Sequence, residues 1–458
     1  MTTAATLWTP DTALDAQMLA YTVGEDRIHD ARLIRWDIVG SLGHVEGLRR
    51  SGLISRAEHT RMQRALRAAL RAAAAGKLII GPAHEDVHSA VELWVTRRHG
   101  RVGERLHTGR SRNDQVVVDL RLFLKDRVLT LHGQALELAD TLIRFAAKHR
   151  RVLWPGYTHQ RKGMPSSAGL WAAAYAEGVL DTAESVAGFW PQVDRSPLGS
   201  AAGYGAPLPL RREAAARALG FAGLDHNVAQ VQNSRGKLEA AVLFWCTQLA
   251  HDLSRLATDV IQLSAEEYGY LVLPAELATG SSIMPQKRNP DLFELTRARA
   301  AAVQGELAQV LALAGKLGSG YHRDFQLLKA PLFRGTDATG EMLGMLAAAV
   351  PRLGVDAERA FAALAGSALA TDEVMRRVRG GVPFRRAYRK VAAALRRGDP
   401  VPPLSASELI ATRRSTGSIG NLGLPAARAR IGAARRWNRR QRGRFDAAIR
   451  RLIGRGAP

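Results

Sequence analysis

Residues 238–263, with the sequence LEAAVLFWCTQLAHDLSRLATDVIQL, carry the pattern that decides the fold. Apolar side chains recur there at steps of three or four residues, the spacing that places them on one face of an α-helix. They are Leu238, Val242, Trp245, Leu249, Leu253, Leu256, Val260 and Leu263. A second stripe of the same kind runs from Val117 to Leu142. Each stripe predicts one long helix of about 35–40 Å.

The two stripes also indicate how the helices are arranged. Apolar seams of this spacing pack against near-antiparallel neighbours, and the period-two alternation typical of strands is scarce. We therefore predict an all-α protein with a central bundle of long helices. The chain changes character near residues 100–103 and again near residues 351–355. These changes predict an N-terminal helical domain (1–104), a central bundle (105–354) and a small C-terminal helical domain (355–458).

Composition narrows the class of protein. At 458 residues the chain is long enough for two or three domains. No apolar run approaches the length that crosses a bilayer, and the first residues lack the pattern of a signal peptide. The single cysteine, Cys246, excludes an internal disulfide and lies on an apolar stripe, which indicates a buried thiol in a reducing compartment. We therefore expect a cytoplasmic protein that does not span a membrane.

The charge balance is strongly basic, since 65 Lys and Arg residues stand against 42 Asp and Glu residues, for a formal net charge of +23. Residues 428–455 are rich in arginine around Trp437, and this is the one place where a basic patch with an aromatic could hold phosphate. Charge runs without a recognisable binding fold usually form a solvated or subunit-facing surface, so nucleic acid is not the expected partner. A basic field also attracts a small substrate with several carboxylates.

Residues 280–291, with the sequence GSSIMPQKRNPD, join a loop to the start of a helix. Gly280 and two serines give a backbone with little side-chain packing, and Pro285 prevents a regular helix. Asn289 suits the N-cap of the following helix and Pro290 its first position. Lys287 and the free amides of that helix would then face the same anionic group. The segment therefore predicts a mobile catalytic lid.

The lid segment resembles the signature of the fumarase/aspartase superfamily, whose members cleave C–N or C–O bonds by β-elimination and release fumarate. Residues 107–115 (HTGRSRNDQ) and 155–159 (PGYTH) are similar to the two other signature regions of argininosuccinate lyases. Weaker matches cover residues 37–41 with His44, 85–88, 196–200 and 381–385. The resemblance therefore spans nearly the whole chain. It implies cleavage of argininosuccinate to arginine and fumarate in arginine biosynthesis, with neither a metal nor an organic cofactor.

The resemblance also implies the roles of four catalytic residues. Ser282 matches the signature serine that acts as the base, and its hydroxyl needs strong activation, for which Lys287 and backbone amides are candidates. Elimination creates a doubly charged aci-carboxylate, which Lys287, Asn289 and the helix N-terminus would stabilise. His159 is the candidate for proton delivery to the departing nitrogen, directly or through water. The family pairs this histidine with a carboxylate that corresponds here to Glu294.

The resemblance also implies which residues contact the substrate. The positions that match contacts to the succinyl end are Ser111, Arg112, Asn113 and Thr158, and those that match contacts to the amino-acid end are Tyr321, Gln326 and Lys329. Arg112 offers a planar fork that suits a carboxylate. For His88 and His107 we expect a structural or substrate-orienting role. The signatures are spread over some 180 residues of long helices, so they meet only if the chain folds back or if neighbouring chains contribute. In the resembled family, four chains form a tetramer with shared sites.

The sequence departs from the family pattern at residues 160–165, 234–237 and 322–328. These departures leave the amine-side substrate open, so the alternatives are another fumarate-releasing activity, of the adenylosuccinate or aspartate type, or a non-catalytic structural homologue. The run from Thr108 to Asp114 argues against the other activities. The presence of Ser282, Lys287 and His159 argues against a non-catalytic protein.

Overall fold

The computed structural model describes residues 15–81 and 84–454; the outer ends of the first and third predicted domains, residues 1–14 and 455–458, lie outside this range. The described residues form helices almost throughout, which confirms the all-α prediction. Six helices precede the bundle: α1 (Ala16–Val23), α2 (Asp26–Asp30), α3 (Ile34–Arg50), α4 (Arg56–Ala74), α5 (Val87–His99) and α6 (Arg101–Glu104).

Five long helices form the central bundle. They are α7 (Arg112–Lys148), α8 (Ala168–Glu184), α12 (Lys237–Leu263), α13 (Asp291–Ala314) and α14 (Lys329–Ala349). Both sequence stripes lie inside single helices, α7 and α12, as predicted, and their apolar residues are buried in one continuous core. Three short helices lie between α8 and α12: α9 (Trp190–Val193), α10 (Arg212–Ala218) and α11 (Val228–Asn233). Cys246 is buried in α12, which confirms the expected buried thiol.

The direction of the bundle helices defines two ends of the molecule. Gly236, just before α12, lies against Ala314 at the end of α13, so these helices run antiparallel. At the other end of α12, the side chain of Gln262 donates a hydrogen bond to Gln160, 2.8 Å away. Because α12 has 27 residues, the two contacts lie about 40 Å apart. We call the end of the bundle where α7, α12 and α14 begin the Arg112 end, and the opposite end the His159 end.

Strands are few and short, and each pairs with one other strand. They are β1 (Leu153–Thr158), β2 (Arg161–Ser167), β3 (Arg195–Ser196), β4 (Gly223–Leu224), β5 (Leu271–Val272), β6 (Thr279–Gly280), β7 (Arg288–Asn289) and β8 (Gly354–Val355). The pairs β1–β2, β5–β8 and β6–β7 are antiparallel, and β3–β4 is parallel. The hairpin β1–β2 and the pairs β5–β8 and β6–β7 lie at the His159 end.

The last part of the chain contains five more helices: α15 (Ala357–Ala362), α16 (Ala370–Arg379), α17 (Phe384–Arg396), α18 (Ala406–Ala411) and α19 (Leu424–Ile453). A small separate core holds Leu364, Leu369 and Leu409 together. Helix α19 instead returns along α7, and its Phe445 lies in the main core. The last helix therefore shares the core of the bundle. The predicted domain boundary at residue 355 stays a prediction.

Packing on α19 also shows how the basic C-terminal segment is used. Arg435 forms ion pairs with Glu137 and Asp140 of α7, and Arg442 pairs with Asp126. The ring of Trp437 packs edge-on against His132, with 5.1 Å between the ring centroids. Part of the positive charge of this segment is therefore paired with acidic side chains of the same chain. In the described part of the chain, no helix is long and apolar enough to cross a membrane.

The close approach of α12 and α13 makes a stability prediction. Gly236 has a φ of +81°, and a Cβ atom there would lie 2.1 Å from the Cβ of Ala314. Gly52 has a φ of +73° but open space around it. In urea denaturation, Gly52→Ala should lose about 1 kcal/mol from backbone strain alone. Gly236→Ala should lose about 1–3 kcal/mol more from overpacking. Equal losses in the two variants would show that this contact does not constrain the bundle.

Candidate active site

A cavity of about 190 Å³ opens at the Arg112 end. Five of the predicted substrate residues line it: Arg112, Asn113, Tyr321, Gln326 and Lys329. Arg112 and Asn113 come from the first turn of α7, and the other three come from the segment that leads into α14. Residues more than 200 positions apart are thus brought to one place by the antiparallel bundle.

The start of α7 is held by its own side chains. The hydroxyl of Ser111 accepts a hydrogen bond from the backbone N–H of Asn113, and Asp114 accepts one from the backbone N–H of Ser111. Asp114 also accepts hydrogen bonds from the backbone amides of Gly199 and Ala201. Such a reciprocal capping box satisfies amides that a helix start leaves unpaired. Ser111 is therefore a cap that positions Arg112 and Asn113, in addition to its predicted substrate contact.

Acidic side chains form the opposite wall, and the sequence analysis missed two of them. Asp26 and Asp30, one turn apart on α2, each place a carboxylate oxygen 2.5 Å from the Nζ of Lys329. Burial raises the pKa of Asp26 to about 6, although the ammonium of Lys329 opposes this shift. Burial also disfavours the ammonium of Lys329, but the two carboxylates raise its pKa above the usual value. The ammonium of Lys329 stays charged because its carboxylate partners are buried beside it.

Two further acids belong to the weaker match at residues 85–88. Arg112 forms ion pairs with Glu85 at 2.9 Å and with Asp86 at 2.8 Å. The side-chain amide of Gln326 donates to the carbonyls of Thr22 and Val23 at the end of α1. Besides His88, the charged side chains of the cavity wall are four cations and four anions: Arg112, Arg235, Arg323, Lys329, Asp26, Asp30, Glu85 and Asp86. Such a wall suits a ligand that carries charges of both signs.

His88 also lines the cavity and belongs to a buried polar cluster. Its Nδ1 is 2.5 Å from an oxygen of Asp37, which also accepts a hydrogen bond from Gln115. Asp119 lies 3.7 Å from the same Nδ1. Burial disfavours the imidazolium, but the charge and hydrogen bond of Asp37 raise the pKa of His88 above its usual value. Burial and the neighbouring Asp37 also hold the pKa of Asp119 well above its usual range.

The atoms of this cluster could act as metal ligands, since one from each of Asp37, His88 and Asp119 lies within 4.8 Å of the others. However, the buried guanidinium of Arg110 already lies in their field and favours the charged form of Asp119. The imidazole of His88 is likewise hydrogen-bonded to Asp37. Two cations of the chain, His88 and Arg110, therefore already lie among these carboxyl groups, which is consistent with the structural or orienting role expected for His88.

His107 stands at the start of the 107–115 signature and is half-buried. Burial, with Arg110 nearby, lowers the pKa of His107 to about 4. The imidazole is therefore neutral at physiological pH, and it lies 3.9 Å from Glu92. A neutral, partly covered ring beside the cluster is consistent with the structural or orienting role expected for His107.

His159 lies at the tip of the β1–β2 hairpin, at the far end of the bundle. His159 and Gln160 form its two-residue turn, with φ values of +53° and +59°. Two left-handed residues are typical of the tight turn that fits strand twist, but non-glycine residues are strained there. The hairpin is fastened by the Gln160–Gln262 hydrogen bond and by a hydrogen bond of 2.7 Å between the hydroxyls of Tyr157 and Tyr270. These contacts hold the strained turn in place, and Thr158 and His159 are exposed to solvent there.

The predicted lid also lies at the His159 end, because it leads from β5 into α13. Its neck is the short β6–β7 pair, and residues 282–287 are exposed. Ile283 is 83% exposed, which is unusual for a large apolar side chain. Ser282 and Lys287 therefore lie on a loop that the described part of the chain leaves exposed.

The start of α13 corrects one prediction. The helix begins at Asp291, so Pro290 occupies the N-cap position and Asn289 does not cap it. The reason is the strand pairing of Asn289 with Thr279, which keeps the backbone of Asn289 extended. The side chain of Asn289 donates instead to the carbonyl of Gly280, 3.2 Å away.

The predicted site residues thus fall into two groups at opposite ends of the chain. Ser111 and the five cavity residues lie at the Arg112 end. The His159 end holds Thr158, His159, Ser282, Lys287, Asn289 and Glu294. Within the described part of the chain, no hydrogen bond or ion pair joins Glu294 to His159, and Glu294 is exposed on the first turn of α13. About 40 Å of helix separates the two groups.

Comparison with known proteins gives the class to which this fold and site belong. A family model described as a lyase matches residues 15–305, more than half of the chain. The fold and site define a lyase of the fumarase/aspartase superfamily.

Individual relatives narrow this class. The chain is 43% identical over 418 residues to an argininosuccinate lyase of Sorangium cellulosum, covering 91% of this chain and 96% of the relative. An argininosuccinate lyase of Stenotrophomonas maltophilia is 39% identical over 429 residues, covering 93% of this chain and 98% of the relative. The chain belongs to the argininosuccinate lyase family, which confirms the resemblance found in the sequence.

Solved structures agree on the fold. An EDDS lyase variant with bound fumarate matches 97% of each chain with a TM-score of 0.77 at 24% sequence identity. A structure described as fumarate lyase:delta crystallin from Brucella melitensis, bound to cobalt, matches 89% of this chain and 91% of its own with a TM-score of 0.70 at 17% identity. Both matches show that the long-helix bundle is the fold of this superfamily.

The raised pKa of His88 gives a pH-dependent prediction. A histidine whose pKa is higher in the folded state stabilises the fold below its unfolded pKa of about 6.5, and this contribution is lost as the pH rises through the folded value. The free energy of unfolding should therefore fall between pH 6 and pH 9 more steeply in the unmodified protein than in His88→Gln. Urea denaturation across this range measures the difference.

The control for this experiment is His132→Gln. Burial lowers the pKa of His132 to about 4, so this ring is neutral throughout the upper part of the range. The stability difference between the unmodified protein and His132→Gln should be flat above about pH 7.5. A flat or widening difference for His88→Gln would contradict the charged His88–Asp37 pair.

Proposed function

We propose that this protein catalyses the reversible cleavage of argininosuccinate to arginine and fumarate, as an enzyme of the cytoplasm. The observation that supports this most directly is the mixed charge of the cavity at the Arg112 end. The arginine part of the substrate carries a guanidinium, an ammonium and a carboxylate. Asp26, Asp30, Glu85 and Asp86 offer partners for the cations, and the nearby arginines offer partners for the carboxylate.

The chemistry assigned to the His159 end is a β-elimination. Ser282 would remove a proton from the carbon beside a succinyl carboxylate, which forms the aci-carboxylate, and Lys287 and Asn289 would stabilise its developing charge. The C–N bond then breaks as the C=C bond of fumarate forms. His159 would deliver the proton that the departing guanidinium nitrogen needs, with Glu294 as its partner. The exposed loop from residue 282 to residue 287 would close over the substrate.

A complete site on this scheme needs more than one chain. The substrate residues of the Arg112 end and the catalytic residues of the His159 end are about 40 Å apart in one chain. The bundle also exposes large apolar side chains, namely Phe244, Leu295, Leu311 and Met345 on α12, α13 and α14. Exposed apolar faces of this kind mark protein contacts. We therefore include in the proposal a homotetramer in which each site gathers residues from different chains.

The substrate can be tested directly. Purified protein mixed with argininosuccinate should raise the ultraviolet absorbance as fumarate forms, whereas adenylosuccinate and aspartate should give no signal. Neither of those two substrates carries the guanidinium that the acidic wall suits. Release of fumarate from adenylosuccinate or aspartate alone would assign the chain to one of the alternative activities. No release from any of the three would favour a non-catalytic homologue.

Shared sites can be tested by mixing inactive variants. Ser282→Ala should abolish turnover because it removes the base. Ser281→Ala is the matched control: its hydroxyl only accepts hydrogen bonds from backbone N–H groups within the loop, so this variant should retain much of the turnover. His159→Asn should leave a low residual rate. When Ser282→Ala and His159→Asn chains exchange subunits, some sites regain both native residues and activity should return. Verified mixed oligomers without recovered activity would mean that one chain supplies both residues.

A further inference from the structure

The largest cavity described in the molecule lies away from all of these residues. It has a volume of about 1170 Å³, is open to solvent and is bordered by α3, α4, α10 and the end of α19. Six arginines line it: Arg50, Arg64, Arg67, Arg211, Arg217 and Arg451. They come from four separate parts of the chain. The cavity therefore concentrates positive charge at a place that the lyase chemistry does not use.

The acidic residues of the cavity do not neutralise this charge. Glu46 is already engaged by Arg49, Arg50 and His59. Glu213, on α10, forms no ion pair with any described residue, although Arg217 follows one turn later. The guanidinium groups of Arg64, Arg211, Arg217 and Arg451 likewise form no ion pair with a carboxylate in residues 15–81 and 84–454. Four uncompensated cations thus face one space.

Some arginines of α19 are paired with acids: Arg430 with Asp181 and Glu184, and Arg435 with Glu137 and Asp140. Arg451, near the end of the same helix, has no acidic partner within residues 15–81 and 84–454, and it shares the cavity with Arg64, Arg211 and Arg217. Unpaired like charges around one cavity repel each other, and a bound anion removes that repulsion.

We propose that this cavity binds a compact small molecule that carries several phosphate groups. Separate helices contribute guanidiniums to this one cavity: α4 contributes Arg64 and Arg67, α10 contributes Arg217, and α19 contributes Arg451. A guanidinium pairs with phosphate through two parallel hydrogen bonds, and a tetrahedral phosphate has oxygens for guanidiniums on several sides. A planar carboxylate accepts one such pair of parallel hydrogen bonds. The geometry therefore favours phosphate over carboxylate.

The proposal can be tested by isothermal titration of the full-length protein with inorganic tripolyphosphate at physiological salt. Saturable binding of one tripolyphosphate per chain is expected. Arg64→Gln combined with Arg217→Gln should weaken this binding by about ten-fold for each guanidinium removed. Glu213→Gln should strengthen it, because the variant removes a repulsive carboxylate from the wall.

The matched control is Arg386→Gln combined with Arg389→Gln. These two arginines are exposed on α17, outside the cavity, and their removal lowers the net charge by the same amount. Binding should change by less than about two-fold in this control. Equal weakening in both double variants would mean that the anion responds only to net charge, and this would overturn the site. Equal binding of citrate and tripolyphosphate would overturn the preference for phosphate. Circular dichroism of each variant verifies that it is folded.

Discussion

A single rigid helix imposes the main constraint on this molecule. With 27 residues, α12 separates the Arg112 end from the His159 end by about 40 Å. The neighbouring helices run along the same axis, because α13 runs back beside α12 and α14 begins where α7 begins. The residues assigned to substrate binding and those assigned to proton transfer are therefore held apart in one chain. The exposed apolar faces of the bundle and the uncovered lid are both consistent with neighbouring chains completing the site.

Electrostatic pairing gives the cavity at the Arg112 end its character. Lys329 and Arg112 are each held between two carboxylates, so the wall keeps charges of both signs near the substrate. Breaking one buried partner of such a pair costs far more than the intact pair contributes, which favours a fixed arrangement. A ligand with a guanidinium, an ammonium and carboxylates can exchange partners with this wall without leaving a charge unpaired. This property connects the packing of α2 against α14 with the proposed substrate.

The sequence predicted local features well and distant pairings poorly. The apolar stripes of α7 and α12 could be predicted because helical periodicity is a local property of the sequence. The candidate site residues came from the family resemblance, and their roles stay predictions. The pairing of Asp26 with Lys329 was missed because some 300 residues separate them and only tertiary packing joins them. The hairpin at His159 gave no period-two signal, and its left-handed turn uses residues other than glycine. The cap predicted at Asn289 failed because strand pairing with Thr279 overrides local preference.

Cross-linking tests most directly whether different chains complete each site. The only native cysteine, Cys246, is buried, so introduced cysteines report without interference. Gln160→Cys places a thiol beside His159, and Arg323→Cys places one at the rim of the cavity. A short bismaleimide added to a mixture of the two single variants should join chains of different kinds, and a denaturing gel should show a band at twice the mass of one chain. Neither variant alone should give this band. Only single-chain bands from the mixture would contradict shared sites.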